Sequence, residues 1–361
     1  GKAWRTIWLE NDGESIGVID QTKLPHLFQT LSLKSYRDVS KAIKSMVVRG
    51  APLIGVAGAY GVMLALRDNP SDQSLETASC DLLETRPTAI NLQWAIQRVS
   101  QRVFNLPLNQ RAKEAKLEAE LIANEDINMC HSIGRNGFII LRDIAQKKQS
   151  YPKSPINIMT HCNAGWLGTV DWGTALAPIY KAYRSGINIH VWVDETRPRN
   201  QGSNLTAYEL ACEGVPHTLI VDNAGGHLMQ SGQVDAVFVG SDRITRSGDV
   251  CNKIGTYLKA LASNDNNLPF YVAAPYSTID WTVNNGLETI PIEYRSPKEV
   301  THVLGKDSRT EISEVQICND LTNVINPAFD VTPSRLVSAI ITERGIAFPK
   351  EKGLNQLYPG K

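Results

Sequence analysis

Ile156-Asn157-Ile158-Met159, running straight into Thr160-His161-Cys162-Asn163-Ala164-Gly165, is the stretch that decides the fold of this chain. A short apolar run ends in small and polar residues, as a buried strand does where it meets a loop. Four similar runs follow: Ile189-His190-Val191-Trp192-Val193, Thr218-Leu219-Ile220-Val221, Ala236-Val237-Phe238-Val239 and Phe270-Tyr271-Val272-Ala273. Helix-length segments separate them. Strands alternating with helices form βαβ units, and these build an open α/β sheet of parallel strands. Such sheets bind ligands at the carboxyl ends of their strands. The loops after each run are therefore the places to look for chemistry.

Upstream the pattern is different. Thr6-Ile7-Trp8-Leu9-Glu10 and the run from Ser15 to Asp20 flank Asn11-Asp12-Gly13. This predicts a β-hairpin, because an Asp-Gly pair supplies the positive φ angles of a tight turn. From about Ser35 to Gln149 the sequence is mostly helical. Leu117, Leu121 and Ile122, spaced by four and five, predict one apolar helix face.

The chain has 361 residues, which accommodates two domains at roughly 150 residues each. With 42% hydrophobic and 20% charged residues it has the composition of a globular protein with a sizeable core. Lys plus Arg and Asp plus Glu both number 37. A nucleic-acid partner calls for a basic excess or stripe, which is not present. The six cysteines show no CxxC and no paired Cys/His spacing, which argues against a zinc site. Gly1-Lys2-Ala3-Trp4-Arg5 has no apolar signal segment, and no apolar run approaches membrane-spanning length. The expected setting is a reducing cytoplasm. Asn204-Leu205-Thr206 matches a glycosylation sequon and is read as coincidence in that setting.

The loops carry the candidate chemistry. Cys162 follows the first run, next to small residues that leave room for a cleft. His161 is its sequence neighbour and on extended backbone points elsewhere, so it is a poor base for a cysteine nucleophile. After the fourth run come Gly240-Ser241-Asp242-Arg243 and then Asn252-Lys253-Ile254-Gly255, a carboxylate at a strand end and an Asn-Lys pair opening the next helix. A helix N-terminus with a lysine suits an anion, while a cap with a solvated lysine is the plainer reading. The second run leads into Thr196-Arg197-Pro198-Arg199-Asn200-Gln201, where the two arginines either grip a phosphate or pair with acids. In the helical half, Arg49-Gly50-Ala51-Pro52 precedes Gly55, Gly58 and Gly61, whose spacing fits close helix packing better than a dinucleotide loop. Arg86 sits just before another helix start.

Taken together and in this order, Arg49-Gly50-Ala51-Pro52, Arg86-Pro87-Thr88-Ala89, Thr160 to Gly165, Thr196-Arg197-Pro198, Asn252-Lys253-Ile254-Gly255-Thr256 and Asn326-Pro327-Ala328-Phe329-Asp330 resemble the methylthioribose-1-phosphate isomerase family. That family is related to the regulatory subunits of the eukaryotic translation-initiation exchange factor and to ribose-1,5-bisphosphate isomerases. The resemblance extends from about Thr6 to Ile346. It implies an α/β fold: a mainly helical N-terminal domain with a small β-hairpin (1–130) and a C-terminal Rossmann-like parallel-sheet domain (131–361). It also implies a homodimer, no metal, no nucleotide cofactor, no membrane, and a sugar phosphate as the small-molecule partner.

By position, the resemblance makes Cys162 and Asp242 the catalytic pair. It makes Arg49, Gly50, Ala51, Arg86, Gln201, Asn252 and Lys253 substrate-binding residues. The implied reaction is the aldose–ketose isomerisation of 5-methylthioribose 1-phosphate, a step of methionine salvage. Ser241 stands where the family commonly has Ala. Trp166-Leu167-Gly168-Thr169-Val170-Asp171-Trp172-Gly173 and Asn223-Ala224-Gly225-Gly226-His227 also depart from its pattern. Two Trp and an Asp close to the cysteine in sequence open 5-deoxyribose 1-phosphate as an alternative substrate. A non-catalytic binding subunit is the alternative of another class, and it has no need of the Cys162–Asp242 pair.

Overall fold

The computed structural model describes residues 5–148 and 154–360. Gly1 to Trp4, and Gln149 at the end of the expected helical stretch, lie outside the described residues. The chain opens with three antiparallel strands, β1 (Ile7–Leu9), β2 (Ile16–Ile19) and β3 (Thr30–Leu33), so the expected hairpin gains a third strand. Its turn forms as the residues dictate. Asp12 accepts from the backbone N–H of Glu14 and Ser15, and Gly13 takes φ 68°.

Five helices follow: α1 (Tyr36–Lys44), α2 (Ala51–Asp68), α3 (Asp72–Leu83), α4 (Ile90–Val103) and α5 (Leu108–Lys148). Every residue of α2 from Leu53 to Leu66 is buried, as befits a helix that is apolar all round and packed on all sides. Its glycines serve that packing. A Cβ on Gly55 would lie 2.8 Å from the Asn91 carbonyl, and one on Gly58 2.5 Å from Leu92.

The helix α5 has 41 residues and crosses the expected 130/131 division without a break. Its first half contributes Ala115, Ala119, Ile122 and Ala123 to the helical core; its second half contributes Ile133 and Leu141 to the sheet core. The expected Leu117–Leu121–Ile122 face is only partly correct. Ile122 is buried, whereas Leu117 and Leu121 are about half exposed, because small alanines let α5 approach α2 and turn the leucines outward.

Beyond α5 the βαβ pattern takes over, with β4 (Ile156–Thr160), α6 (Leu176–Arg184), β5 (Ile189–Asp194), α7 (Ala207–Glu213), β6 (His217–Ile220), α8 (Ala224–Gln230), β7 (Ala236–Val239), β8 (Arg243–Thr245), β9 (Val250–Lys253), α9 (Thr256–Asp265), β10 (Phe270–Ala273), β11 (Ile279–Asp280), β12 (His302–Lys306), β13 (Ile312–Gln316), β14 (Phe329–Thr332), β15 (Ala339–Thr342) and β16 (Gly345–Ala347). The five strands expected from sequence are β4, β5, β6, β7 and β10, and all lie in one seven-stranded sheet of order β16-β15-β10-β7-β4-β5-β6. All its pairings are parallel except β15–β16. A second sheet, β11-β8-β9-β14, and the β12–β13 hairpin lie outside it. Strand order runs one way from β4 to β6 and the other way from β7 to β15. The reversal between β4 and β7 is the point where open α/β sheets hold their ligands. Among the described residues, no helix is long and apolar enough to cross a membrane.

Candidate active site

Cys162 leaves the carboxyl end of β4 and Asp242 that of β7, the two strands adjoining at the reversal. One small cleft takes in both, together with Arg49, Gly50, Ala51, Gly168, Thr174 and Asn252. Cys162 sits at φ 64°, a left-handed conformation uncommon for a residue with a side chain. Its backbone is pinned at both ends: its N–H donates to Thr196 Oγ1 at 2.8 Å, and its carbonyl accepts from Thr206 Oγ1 at 2.6 Å. Gly50 caps α2 at φ 100°, and a Cβ there would lie 2.4 Å from the Gly168 carbonyl oxygen, so only glycine lets α2 start this close to the loop after Cys162. The first-turn N–H groups of a helix have no intrahelical acceptors, which suits its N-terminus to an anion.

Three cations surround the pair. Arg49 donates through both terminal nitrogens to Asn163, to the side-chain oxygen and, at 3.1 Å, to the carbonyl. Arg86 is paired with Glu293 at 3.2 Å and borders a hollow that shares Ala51 and Asp242 with the cysteine cleft. Lys253 is buried, donates to the Ala328 carbonyl at 2.9 Å, and lies over the Phe329 ring at 4.7 Å. The sequence expectation that Asn252-Lys253 opens a helix is corrected here. Both residues end β9, whose antiparallel pairing puts Asn252 opposite Asp330 and Lys253 opposite Phe329, and α9 begins only at Thr256.

Burial dominates the electrostatics. It pushes the Asp242 carboxyl above the usual carboxylate range, although Lys253, Arg86 and Arg49 pull it back. The Cys162 thiol is also pushed up by burial, against the pull of Arg49 and Lys253. Lys253 moves down for the same cause. A dry site thus favours the neutral acid and the neutral thiol.

Asn163 and Glu209 are residues that sequence reasoning missed. Glu209, fully buried in α7, accepts four hydrogen bonds: Asn163 Nδ2 (2.8 Å) and Leu167 N–H (2.9 Å) on one oxygen, Trp166 N–H (2.7 Å) and the Tyr180 hydroxyl (2.8 Å) on the other. Burial outweighs these donors and pushes its carboxyl up to about 7. Through Asn163 it sets the amide that holds Arg49. Asp126 clamps the same loop from α5, accepting from Val170 N–H at 2.8 Å. No sequence signal separates Glu209 from an ordinary surface glutamate in a helix; only the close approach of Gly165, where a Cβ would lie 1.9 Å from Glu209, betrays the contact.

Other expected residues fall elsewhere. Gln201 lines a wider cleft that meets the cysteine cleft at Arg49. Arg199 pairs with Glu299 and takes the structural alternative, whereas the Arg197 side chain donates to the Pro198 and Val300 carbonyls. His161 bonds to Asp194 and to the Ile254 carbonyl, each at 2.8 Å, and Lys259 lies 3.2 Å from Asp194. Trp172 packs against His131 and Lys181, and neither Trp166 nor Trp172 lines the cysteine cleft.

Residues 47–349 match the initiation factor 2 subunit family. The chain belongs to this family. Within it, the chain is 56% identical to a methylthioribose-1-phosphate isomerase of Methylorubrum extorquens over 359 residues, covering 99% of the chain and 97% of that protein. It is also 56% identical to the protein of that name from Methylocella silvestris, covering 96% and 94%. Among solved family members, 5-methylthioribose 1-phosphate isomerase from Pyrococcus horikoshii OT3 superposes with a TM-score of 0.83 at 37% identity, covering 100% of the chain and 97% of the other. The translation initiation factor eIF-2B subunit delta from A. fulgidus gives 0.79, also at 37%, covering 98% and 99%.

Proposed function

We propose that the chain is an aldose–ketose isomerase converting 5-methylthioribose 1-phosphate to 5-methylthioribulose 1-phosphate. The observation that carries this reading is the meeting of Cys162 and Asp242 in one cleft at the sheet reversal, beneath the N-terminus of α2. A binding subunit has no need of that pair. The doubly wound order of the parallel strands supports a Rossmann-like C-terminal domain joined to the helical one through α5, with the change of core between Ile127 and Ile133. A cytoplasmic homodimer working without metal or nucleotide cofactor completes the reading.

A sugar with phosphate on its anomeric oxygen has no free aldehyde, so the ring must open first. Asp242, its carboxyl pushed above the usual range by burial, gives its proton to the ring oxygen as the C1–O bond breaks. Positioned acid catalysis contributes roughly 10²–10⁴-fold. The electron-poor C1 then takes the hydrogen of C2 with its electron pair. The resulting cation at C2 loses its hydroxyl proton to Asp242, leaving the ketone and restoring the acid. The phosphate stays on C1 throughout, held by Arg49, Arg86, Lys253 and the start of α2. Cys162, a neutral thiol here, lies against the migrating hydrogen and shields the cation from water. Incubating the protein with 5-methylthioribose 1-phosphate, and in parallel with 5-deoxyribose 1-phosphate, tests the reading. Ketose is expected from the first at the higher kcat/KM. Formation of no ketose from either would refute it.

A further inference from the structure

A buried polar cluster that the mechanism does not use adjoins the cysteine. His161 follows β4, Asp194 ends β5 and Lys259 lies in α9, and they are 1%, 0% and 4% exposed. Both ring nitrogens of His161 are engaged: Nε2 lies 2.8 Å from the Ile254 carbonyl oxygen and Nδ1 2.8 Å from Asp194 Oδ2. A carbonyl oxygen only accepts, so Nε2 carries a hydrogen. A proton also lies between Nδ1 and Oδ2, since two bare lone pairs would repel at that distance. Turning the ring over would set carbons against both acceptors, so its orientation is fixed. Lys259 stands 3.2 Å from the same Asp194 oxygen and donates to the Asp222 carbonyl. His161, Asp194 and Asp222 are grouped closely enough to hold a metal ion, yet the Lys259 ammonium already brings a cation to Asp194.

The contact with Ile254 joins two parts of the active site. Cys162 is the residue after His161, and Lys253 is the residue before Ile254. Gly255, at φ 101°, lets the turn into α9 close on the ring; a Cβ there would lie 3.0 Å from His161 Cε1. Asp330 holds the same turn, accepting from the Gly255 N–H at 2.7 Å and the Tyr257 N–H at 3.1 Å. Lys253 in turn interacts electrostatically with the ionisable groups of Cys162 and Asp242. We infer that His161 is a positioning residue for the phosphate grip: its Nε2–H, tied to the Ile254 carbonyl, fixes Lys253 against the end of β4 that carries Cys162. The inference rests on the isomerase reading for what the grip serves, and on this contact for where Lys253 stands. Asp194 and Lys259 hold the ring so that the hydrogen points at Ile254.

The test titrates inorganic phosphate into the unaltered protein, His161→Asn, His161→Gln, Lys253→Ala and the double variant of His161→Asn with Lys253→Ala. Asparagine keeps a donor near Asp194 and loses the one to Ile254, whereas glutamine is long enough to carry an N–H to Ile254. His161→Asn should weaken phosphate binding on the order of tenfold, and His161→Gln by less than about threefold. In the Lys253→Ala background the asparagine should cost no more than about twofold further, because the group it positions is gone. No loss in His161→Asn, equal losses in both single variants, or losses that multiply in the double variant would make His161 a support of the buried core alone and overturn the inference. Should His161→Asn not fold, Gly255→Ala disturbs the same contact from the α9 side and takes its place in the cycle. Phosphate binding by an unaltered protein that isomerises neither sugar would sink the isomerase reading, while the cycle still decides the role of His161.

Discussion

Glu209→Gln probes the arrangement that holds Arg49. The carboxylate meets four donors and its pKa is about 7 in the folded protein, against an ordinary value of 4.5. The folded state therefore binds the proton more tightly than the unfolded chain. Its contribution to stability is greatest at low pH and is lost as pH rises through the window from 4.5 to 7. Between pH 5 and pH 8 that loss comes to about 2–3 kcal/mol, at about 1.4 kcal/mol per pKa unit. Glutamine cannot titrate. It keeps one acceptor oxygen and leaves the two donors that met the other oxygen without an acceptor, at about 1–3 kcal/mol each. The variant should be less stable than the natural protein at pH 5, with a gap that narrows by about 2–3 kcal/mol at pH 8.

Activity should follow through Asn163. With its amide no longer oriented by Glu209, Arg49 loses its fixed position, and KM should rise on the order of tenfold with a smaller change in kcat. Adding Asn163→Asp restores an acceptor for Arg49 and a partner for the new amide, and should recover much of the KM. Denaturant melts at pH 5, 6, 7 and 8, with steady-state kinetics on the two variants, provide the readouts. A stability gap independent of pH, or an unchanged KM, would refute the reasoning.

Three further outcomes follow from the site. Asp242→Asn should nearly abolish turnover while leaving the melting temperature and inorganic-phosphate binding largely intact; near-normal kcat removes the carboxyl from the mechanism. Arg49→Ala and Lys253→Ala should each weaken binding of substrate and of inorganic phosphate by tenfold or more, and unchanged titration isotherms would make both structural. Trp172→Ala should leave the methylthio-to-deoxy ratio of kcat/KM unaltered, because the ring packs on His131 and Lys181 away from the cleft; a tens-fold shift would place it at the substrate.

The parallel sheet was legible in the sequence because its strands are buried on both faces and read as continuous apolar runs, as Ala236–Val239 does. The loops after β4 and β7 stood out for the same reason, and they deliver Cys162 and Asp242. What escaped notice depends on long-range packing. The Asn252-Lys253 pair reads as a helix start, yet antiparallel pairing with β14 makes Lys253 a strand residue buried against Phe329. The apolar face of α5 was misassigned because alanines, not leucines, meet the close-packed α2. Thr206, dismissed with its sequon, turns out to be the donor to the Cys162 carbonyl. Glu209 carries no local signal at all, since it matters through a partner 46 residues away.

The most direct test of the account is turnover of 5-methylthioribose 1-phosphate carrying deuterium on C2, run to completion in ordinary water and followed by NMR. With Asp242 as the acid and Cys162 a neutral thiol in a dry cleft, the product should be the ketose 1-phosphate with the deuterium retained on C1. A ketose whose label has washed into solvent would contradict the hydride shift and make Cys162 a base. Recovery of unchanged substrate would contradict the isomerase itself.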